Sequence, residues 1–147
     1  MICDVRIQGE PFDPGVELAR LEAGGAGAIA SFTGLVRGDG DLSALTLEHY
    51  PGMSEAALTH LAEKAGARWS LSGVILVHRV GRLEAGARIV FVATASPHRA
   101  AALEACAFLI DRLKTDAPFW KKESFSDGRE TWVEARSTDD QAAARWS

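Results

Sequence analysis

Two runs of largely β-branched residues, Gly73 to Val80 and Arg88 to Ala95, constrain the fold of this 147-residue chain more than any other feature. Short runs of this composition read as strands. Between them lies Gly81-Arg-Leu-Glu-Ala-Gly86, with a glycine at each end of the connection. Two such runs joined in this way make an antiparallel hairpin, and the rest of the chain must be arranged around it.

The remaining elements follow from periodicity and punctuation. Ile2 to Gln8 alternates apolar and polar residues, as a strand does. Asp13-Pro14 starts a helix, because Asp caps free amides and Pro at the first helical position loses no hydrogen bond. Val16, Leu18 and Leu21 supply its apolar side, and Gly24-Gly25 stops it. Gly27 to Val36 reads as a buried strand ending in Arg37, Gly38 to Asp41 as a turn, and Ala44 to Tyr50 as a further strand. Pro51 opens a second helix whose stripe of Met53, Ala57, Leu58, Leu61 and Ala65 runs up to Trp69. Pro97 begins a third, with Leu103, Cys106, Ile110 and Leu113 at helical spacing. Phe119 to Phe125 and Thr131 to Ala135 form two short strands around the Ser126-Asp-Gly128 turn. The order β-α-β-β-α-β-β-α-β-β predicts an α+β fold with helices packed on one face of a mainly antiparallel sheet and a hairpin subdomain. Neither a repeat nor a linker divides the chain. One domain is expected over residues 1–136, followed by a polar, loose tail over 137–147.

Composition narrows the function classes. The chain is 47% apolar and 24% charged, with a formal net charge of −4. That balance argues against a nucleic-acid binder, which presents a basic face. Its apolar runs fall short of the roughly 20 residues that cross a bilayer. The beginning, Met-Ile-Cys-Asp-Val-Arg, has neither a signal-peptide apolar block nor transit-peptide character. Cys3 and Cys106 lie far apart without metal-type spacing and read as a reduced, cytosolic pair.

Most motif candidates dissolve on context. Gly24-Gly-Ala-Gly27 precedes a strand rather than a helix, so it reads as a turn and not as a dinucleotide fingerprint. Asp39 and Asp41 lack the rest of a calcium loop. His49, His60, His78 and His98 are scattered without paired metal spacing, and Ser31 and Ser96 lack a nucleophile elbow. What remains is cationic. Lys114 falls where the third helix ends. Pro118 forbids its continuation and pushes Ala117 towards extended geometry. Lys121 and Lys122 follow beside Phe119 and Trp120. In an acidic protein this cluster suits an anion carrying a flat ring. The plainer alternatives are a lysine complementing a helix dipole at 114 and charges protecting an edge strand at 121 and 122. His98-Arg99 puts two basic side chains in the first turn of the third helix, where acids normally serve stability. Together with free amides they make a phosphate or carboxylate site, unless Arg99 merely pairs with a surface acid. Arg37, at a strand end, is a further anion ligand or a solvated charge. His98 and Lys114 stand sixteen residues apart on one helix, roughly 24 Å at 1.5 Å per residue. A small substrate cannot reach both within one chain, so a shared pocket predicts a homodimer with composite sites.

Several segments together resemble one family. They are Phe32-Thr-Gly-Leu-Val-Arg37, Leu45-Thr-Leu-Glu-His-Tyr-Pro-Gly-Met53, Val77-His-Arg-Val-Gly81, Ser96-Pro-His-Arg99, Leu113-Lys-Thr-Asp-Ala-Pro-Phe-Trp-Lys-Lys-Glu123 and Trp132-Val-Glu-Ala-Arg136. In this order they resemble the large, catalytic subunits of molybdopterin synthase, over about residues 2 to 136. The resemblance implies an α/β-hammerhead fold and a cytoplasmic homodimer that becomes a heterotetramer with two copies of a small ubiquitin-like sulfur carrier. It implies transfer of two sulfurs from the carrier's thiocarboxylated Gly-Gly tail to cyclic pyranopterin monophosphate, giving the molybdopterin dithiolene, with no metal or cofactor at this step. Matched motif by motif, substrate contacts fall on Leu35, Val36, Arg37, His98, Arg99, Lys121, Lys122 and Glu123, and the essential lysine beside the carrier tail falls on Lys114. Lys114 and Lys121 are the expected catalytic pair. Many relatives carry lysine where this chain has Leu35, so only a backbone contact is implied there, and the turn after Arg37 is shorter than in relatives. Two other readings compete: a non-catalytic dimeric ferredoxin-like module sensing an anionic ligand, and a scaffold that docks a ubiquitin-like partner.

Overall fold

The computed structural model describes residues 1–133 and 137–146; Ala135 and Arg136, expected in the last strand and the last motif, lie outside them. Twelve elements follow one another: β1 (Ile2–Gln8), α1 (Pro14–Glu22), β2 (Ala28–Leu35), β3 (Leu42–His49), α2 (Met53–Trp69), β4 (Gly73–Arg79), β5 (Gly81–Glu84), β6 (Arg88–Ser96), α3 (Arg99–Asp116), β7 (Phe119–Phe125), β8 (Glu130–Trp132) and α4 (Ser137–Ala144). They form an α+β fold with two four-stranded sheets, ordered β1-β4-β6-β2 and β5-β3-β7-β8. Among the described residues only the β1–β4 pairing is parallel.

The expected hairpin is the centre of the first sheet. β4 and β6 pair antiparallel from Gly73↔Ala95 to His78↔Val90. Because side chains alternate along a strand, Val74 and Leu76 enter one core with Val90 and Val92, beneath Leu58, Leu61 and Ala65 of α2 and Ala105, Leu109 and Leu113 of α3. Ile75 and Val77 face the other way, with Phe91, Phe12 and Leu21 of α1. The short α1 thus covers the opposite face, whereas the sequence pattern had suggested helices on one face alone. Its start is as expected: the Asp13 carboxylate accepts from the Gly15 amide at 2.9 Å, with Pro14 at the first position.

The connection inside the hairpin does more than turn. Gly81, at φ 91°, swings the chain out of the first sheet, a conformation that suits glycine because it lacks a Cβ. The next residues form β5, which pairs with β3 from Ala44↔Glu84 to Leu47↔Gly81 and so seeds the second sheet. Val36, Leu47 and Leu83 make the small core at this junction. The tail also departs from expectation. Residues 137–144 are helical, and Trp146 lies edge-on to Trp69 and Phe108 while its indole N–H donates to Asp111 at 2.7 Å. Small, polar residues gave no helical stripe there; Trp146 anchors the segment, and the Arg145 guanidinium joins it at Asp111, 2.8 Å away.

Candidate active site

Topology decides which ends meet. β2 and β4 both run antiparallel to β6, so their C-terminal ends and the start of β6 share one end of the first sheet. α3 begins after β6 at the far end and returns, so its last turn arrives at that same end. There the chain passes into the second sheet at three places: after β2, after β4 and after α3. A cavity of about 360 Å³ opens at this joint.

Four of the predicted residues line it: Leu35 at the end of β2, Arg37 just after it, Lys114 in the last turn of α3, and Lys121 on β7. The stop after α3 follows the sequence logic: Ala117 is extended at φ −76°, ψ 127°, and Pro118 leads straight into β7. Phe119 and Lys121 share one face of β7, and both line the cavity. At Gly34 an added Cβ would come within 2.6 Å of a Val90 methyl, so the wall formed by β2 packs against β6 only because this position has no side chain. Arg37 is exposed, with Asp39 no nearer than 3.9 Å, and exposed pairs at such distances contribute little. Its guanidinium remains available to an anion. Leu35 is 55% exposed at the rim, where a register shift interrupts its pairing with β6.

The other predicted residues are placed elsewhere. Val36 is 3% exposed in the small core. Its amide donates to the Ala87 carbonyl, and its carbonyl accepts from Gly86, both at 2.8 Å. It anchors the strand end from which Arg37 projects. Lys122 occupies the opposite face of β7 from Lys121, as strand alternation requires. Its amine lies 3.3 Å from Glu130 and 5.8 Å from the centre of the Trp132 ring. β7 is an interior strand, between β3 and β8, so Lys122 is not guarding an edge. Glu123 faces the same side as Lys121, one step further along, opposite Leu45 of β3 and Thr131 of β8. His98 caps the N-terminus of the eighteen-residue α3, with Arg99 as its first residue. Both are exposed at the end of that helix remote from the cavity.

Among the cavity residues not predicted, the titratable one is His78, only 5% exposed. Its ring stacks on Phe119, with centroids 4.1 Å apart and planes at 20°. Burial pushes its imidazole down to about 4. The hydrogen bond to the Arg79 carbonyl opposes this, and the charges of Lys121 and His49 reinforce it. The signal was legible, since His78 has the same strand parity as Val74 and Leu76 and is the one polar side chain on that face of β4.

Comparison with known proteins shows the family. Residues 7–116 match the family described as MoaE protein. The chain is 54% identical over 146 residues to the molybdopterin synthase catalytic subunit of Mesorhizobium japonicum, covering 97% of this chain and 92% of that one. Among solved structures it is similar to the molybdopterin biosynthesis MoaE protein from Burkholderia ambifaria MC40-6, with a TM-score of 0.85 and 51% identity, over 99% of this chain and 98% of the other. A fold likeness alone, at 21% identity and TM-score 0.70 over 93% of each chain, links it to a protein–protein complex of subunits 1 and 2 of molybdopterin-converting factor from Helicobacter pylori 26695. The chain belongs to the MoaE family.

Proposed function

We propose that this chain is the catalytic subunit of a molybdopterin synthase, a cytoplasmic sulfurtransferase. Its substrate is cyclic pyranopterin monophosphate, and its sulfur donor is the thiocarboxylated tail of a small ubiquitin-like carrier. The observation that carries the reading is the convergence of Arg37, Lys114 and Lys121 on one cavity at the joint of the two sheets. Family membership supplies the reaction class.

In this reading Lys114 lies beside the acyl carbon of the carrier tail. Its ammonium stabilises the negative charge that develops on the carbonyl oxygen as the acyl carbon–sulfur bond is exchanged for a bond to water oxygen. That acyl carbon–sulfur bond belongs to the thioester formed when the thiocarboxylate sulfur displaces an oxygen from the pterin carbon. After hydrolysis the sulfur stays on that carbon, and the carrier leaves as a carboxylate. A second carrier repeats the step. Lys121, on the facing strand, serves as acid and base for the pterin oxygen that departs. Arg37 holds the cyclic phosphate. His98 and Arg99 of the partner subunit complete the phosphate site, in a homodimer that binds two carriers. The sixteen-residue separation along α3 supports this division, because neither residue lines the cavity of its own chain. Glycine at the carrier terminus suits the site, since a tail without side chains enters where others would clash.

The purified chain is mixed with thiocarboxylated carrier and the cyclic pterin. Dithiolene product is expected, and binding of the pterin without turnover would favour a ligand sensor instead. Carrier binding alone, without pterin binding, would favour a scaffold.

A further inference from the structure

β4 is apolar on both faces until its sixth residue. At that point, on the face covered by α2 and α3, an imidazole stands where the pattern of Val74 and Leu76 calls for an aliphatic side chain. Two contacts fix its orientation and its tautomer. Nδ1 lies 2.8 Å from the Arg79 carbonyl oxygen. A carbonyl only accepts, so Nδ1 carries the hydrogen. The ring faces Phe119 in a stacked pair. Burial and the neighbouring cations oppose a second proton, which leaves Nε2 with a free lone pair.

The charged side chains that line the cavity with this ring are all cationic. The side-chain nitrogens of Arg37 and of charged Lys114 and Lys121 can donate but not accept. Phe119, on which His78 stacks, sits two residues before Lys121 on the same face of β7. His49, at the end of β3 and paired in register with Phe119, has its ring centre 6.1 Å from that of Phe119, and its Nδ1 is 2.8 Å from the Ser54 hydroxyl. The Arg79 side chain is turned away, donating to the Gly9 and Arg88 carbonyls. Among these groups Arg37, Lys114 and Lys121 are the charges that share the cavity with the imidazole.

We propose that His78 is a positioning residue for sulfur transfer: its unprotonated Nε2 accepts from the Lys121 ammonium and holds it towards the cavity, while the ring fixes β7 through Phe119. The assignment rests on the functional reading above, because turnover is the activity through which it is measured. It differs from a merely structural histidine in one respect. A structural ring needs shape and stacking, whereas a positioning ring needs the acceptor.

Two variants separate these roles. His78→Phe keeps an aromatic ring on Phe119 and removes the acceptor. His78→Gln loses the stack but carries an amide oxygen at a similar reach. A hydrogen bond to a charged group has the strength to change rate by about ten- to a hundredfold, so kcat of His78→Phe falls by that factor, with KM for the pterin little changed. The alkaline limb of its kcat–pH profile moves to lower pH, since the ammonium has lost a partner that favours it. His78→Gln recovers part of the loss. Adding Lys121→Ala to His78→Phe costs no more than Lys121→Ala alone. Nitrogen-15 NMR of the unliganded wild-type protein shows a neutral ring with the hydrogen on Nδ1 from pH 5 to 8, a readout independent of folding in the variants. A His78→Phe enzyme as active as wild type, with an unmoved pH limb, overturns the assignment, as does an Nε2-protonated ring. If wild-type protein itself transfers no sulfur, it is the functional reading that fails.

Discussion

The two ends of α3 carry the same kind of charge in opposite surroundings. At its C-terminal end, Lys114 faces a walled cavity shared with Arg37, His78 and Lys121, where three chain crossings between the sheets create concave space. At its N-terminal end, His98 and Arg99 stand exposed, away from that cavity. The first end has a container and two amines. The second has an oriented helix N-terminus and two donors suited to phosphate. Each has what the other lacks, and eighteen residues of rigid helix keep them apart. In the function proposed above, the comparison means that one polypeptide builds two halves of different sites, which become whole when a second copy docks.

The largest expected effect lies at the walled end. Lys114→Ala lowers kcat by about a hundred- to a thousandfold, the cost of losing one oxyanion donor, with the fold retained because the side chain is exposed. Single-turnover sulfur transfer measures it, and near-normal rates would remove the lysine from the mechanism. At the open end the damage falls on binding instead. Arg99→Ala raises KM for the pterin phosphate by about ten- to a hundredfold, as expected for one charge-assisted bond, with a smaller change in kcat. Steady-state titration of the pterin distinguishes the two ends by this split, and an Arg99→Ala enzyme with unchanged KM would reduce the open end to a solvated turn.

A pH experiment sharpens the picture of the walled end. The folded protein depresses the His78 imidazole from its ordinary 6.5 to about 4. The unfolded chain therefore takes up a proton that the folded one refuses. Stability from keeping the ring neutral is complete above pH 6.5 and is lost as pH falls towards 4, by about 3 kcal/mol. Urea unfolding of wild type and His78→Phe across that window should show the slope in the first and a shallower one in the second. Identical slopes would mean that the ring titrates normally. The smallest effect is expected at Lys122. Its pairing with Glu130 on the outer face of β7 is partly exposed, so Lys122→Ala should cost under about 1 kcal/mol and leave turnover within about twofold. A large loss of turnover there would extend the site beyond the cavity.

Much of this arrangement was legible in the residues because it depends on local rules. The apolar runs 73–80 and 88–95 gave the central hairpin, and Asp13-Pro14 gave the start of α1. Pro118 gave the break that turns Lys114 and Lys121 towards one another. Rules of longer range were not legible. Nothing within Gly81 to Glu84 says that it will pair with β3 rather than simply turn, because the partner residues, 44–47, lie far back in the chain. The side of the sheet that α1 covers depends on which face α2 and α3 leave open. Trp146 orders the tail through contacts with Trp69 and Phe108 that no periodicity announces. Two features of the site could have been read more closely. Alternation alone puts Lys121 and Lys122 on opposite faces of β7. Parity alone puts His78 on the same face of β4 as Val74 and Leu76, and therefore under the end of α3.

The shared site is tested most directly by mixing defects. Dimers are assembled from one Lys114→Ala subunit and one subunit carrying both His98→Ala and Arg99→Ala, isolated through two affinity tags, and assayed with the pterin well below KM. Each parental homodimer is impaired at both sites. In the mixed dimer both defects fall on one site and the other is intact, so roughly half of wild-type activity returns. Activity no higher than the mean of the two parents would mean that the two ends of α3 do not meet across a dimer, and the composite site would be wrong.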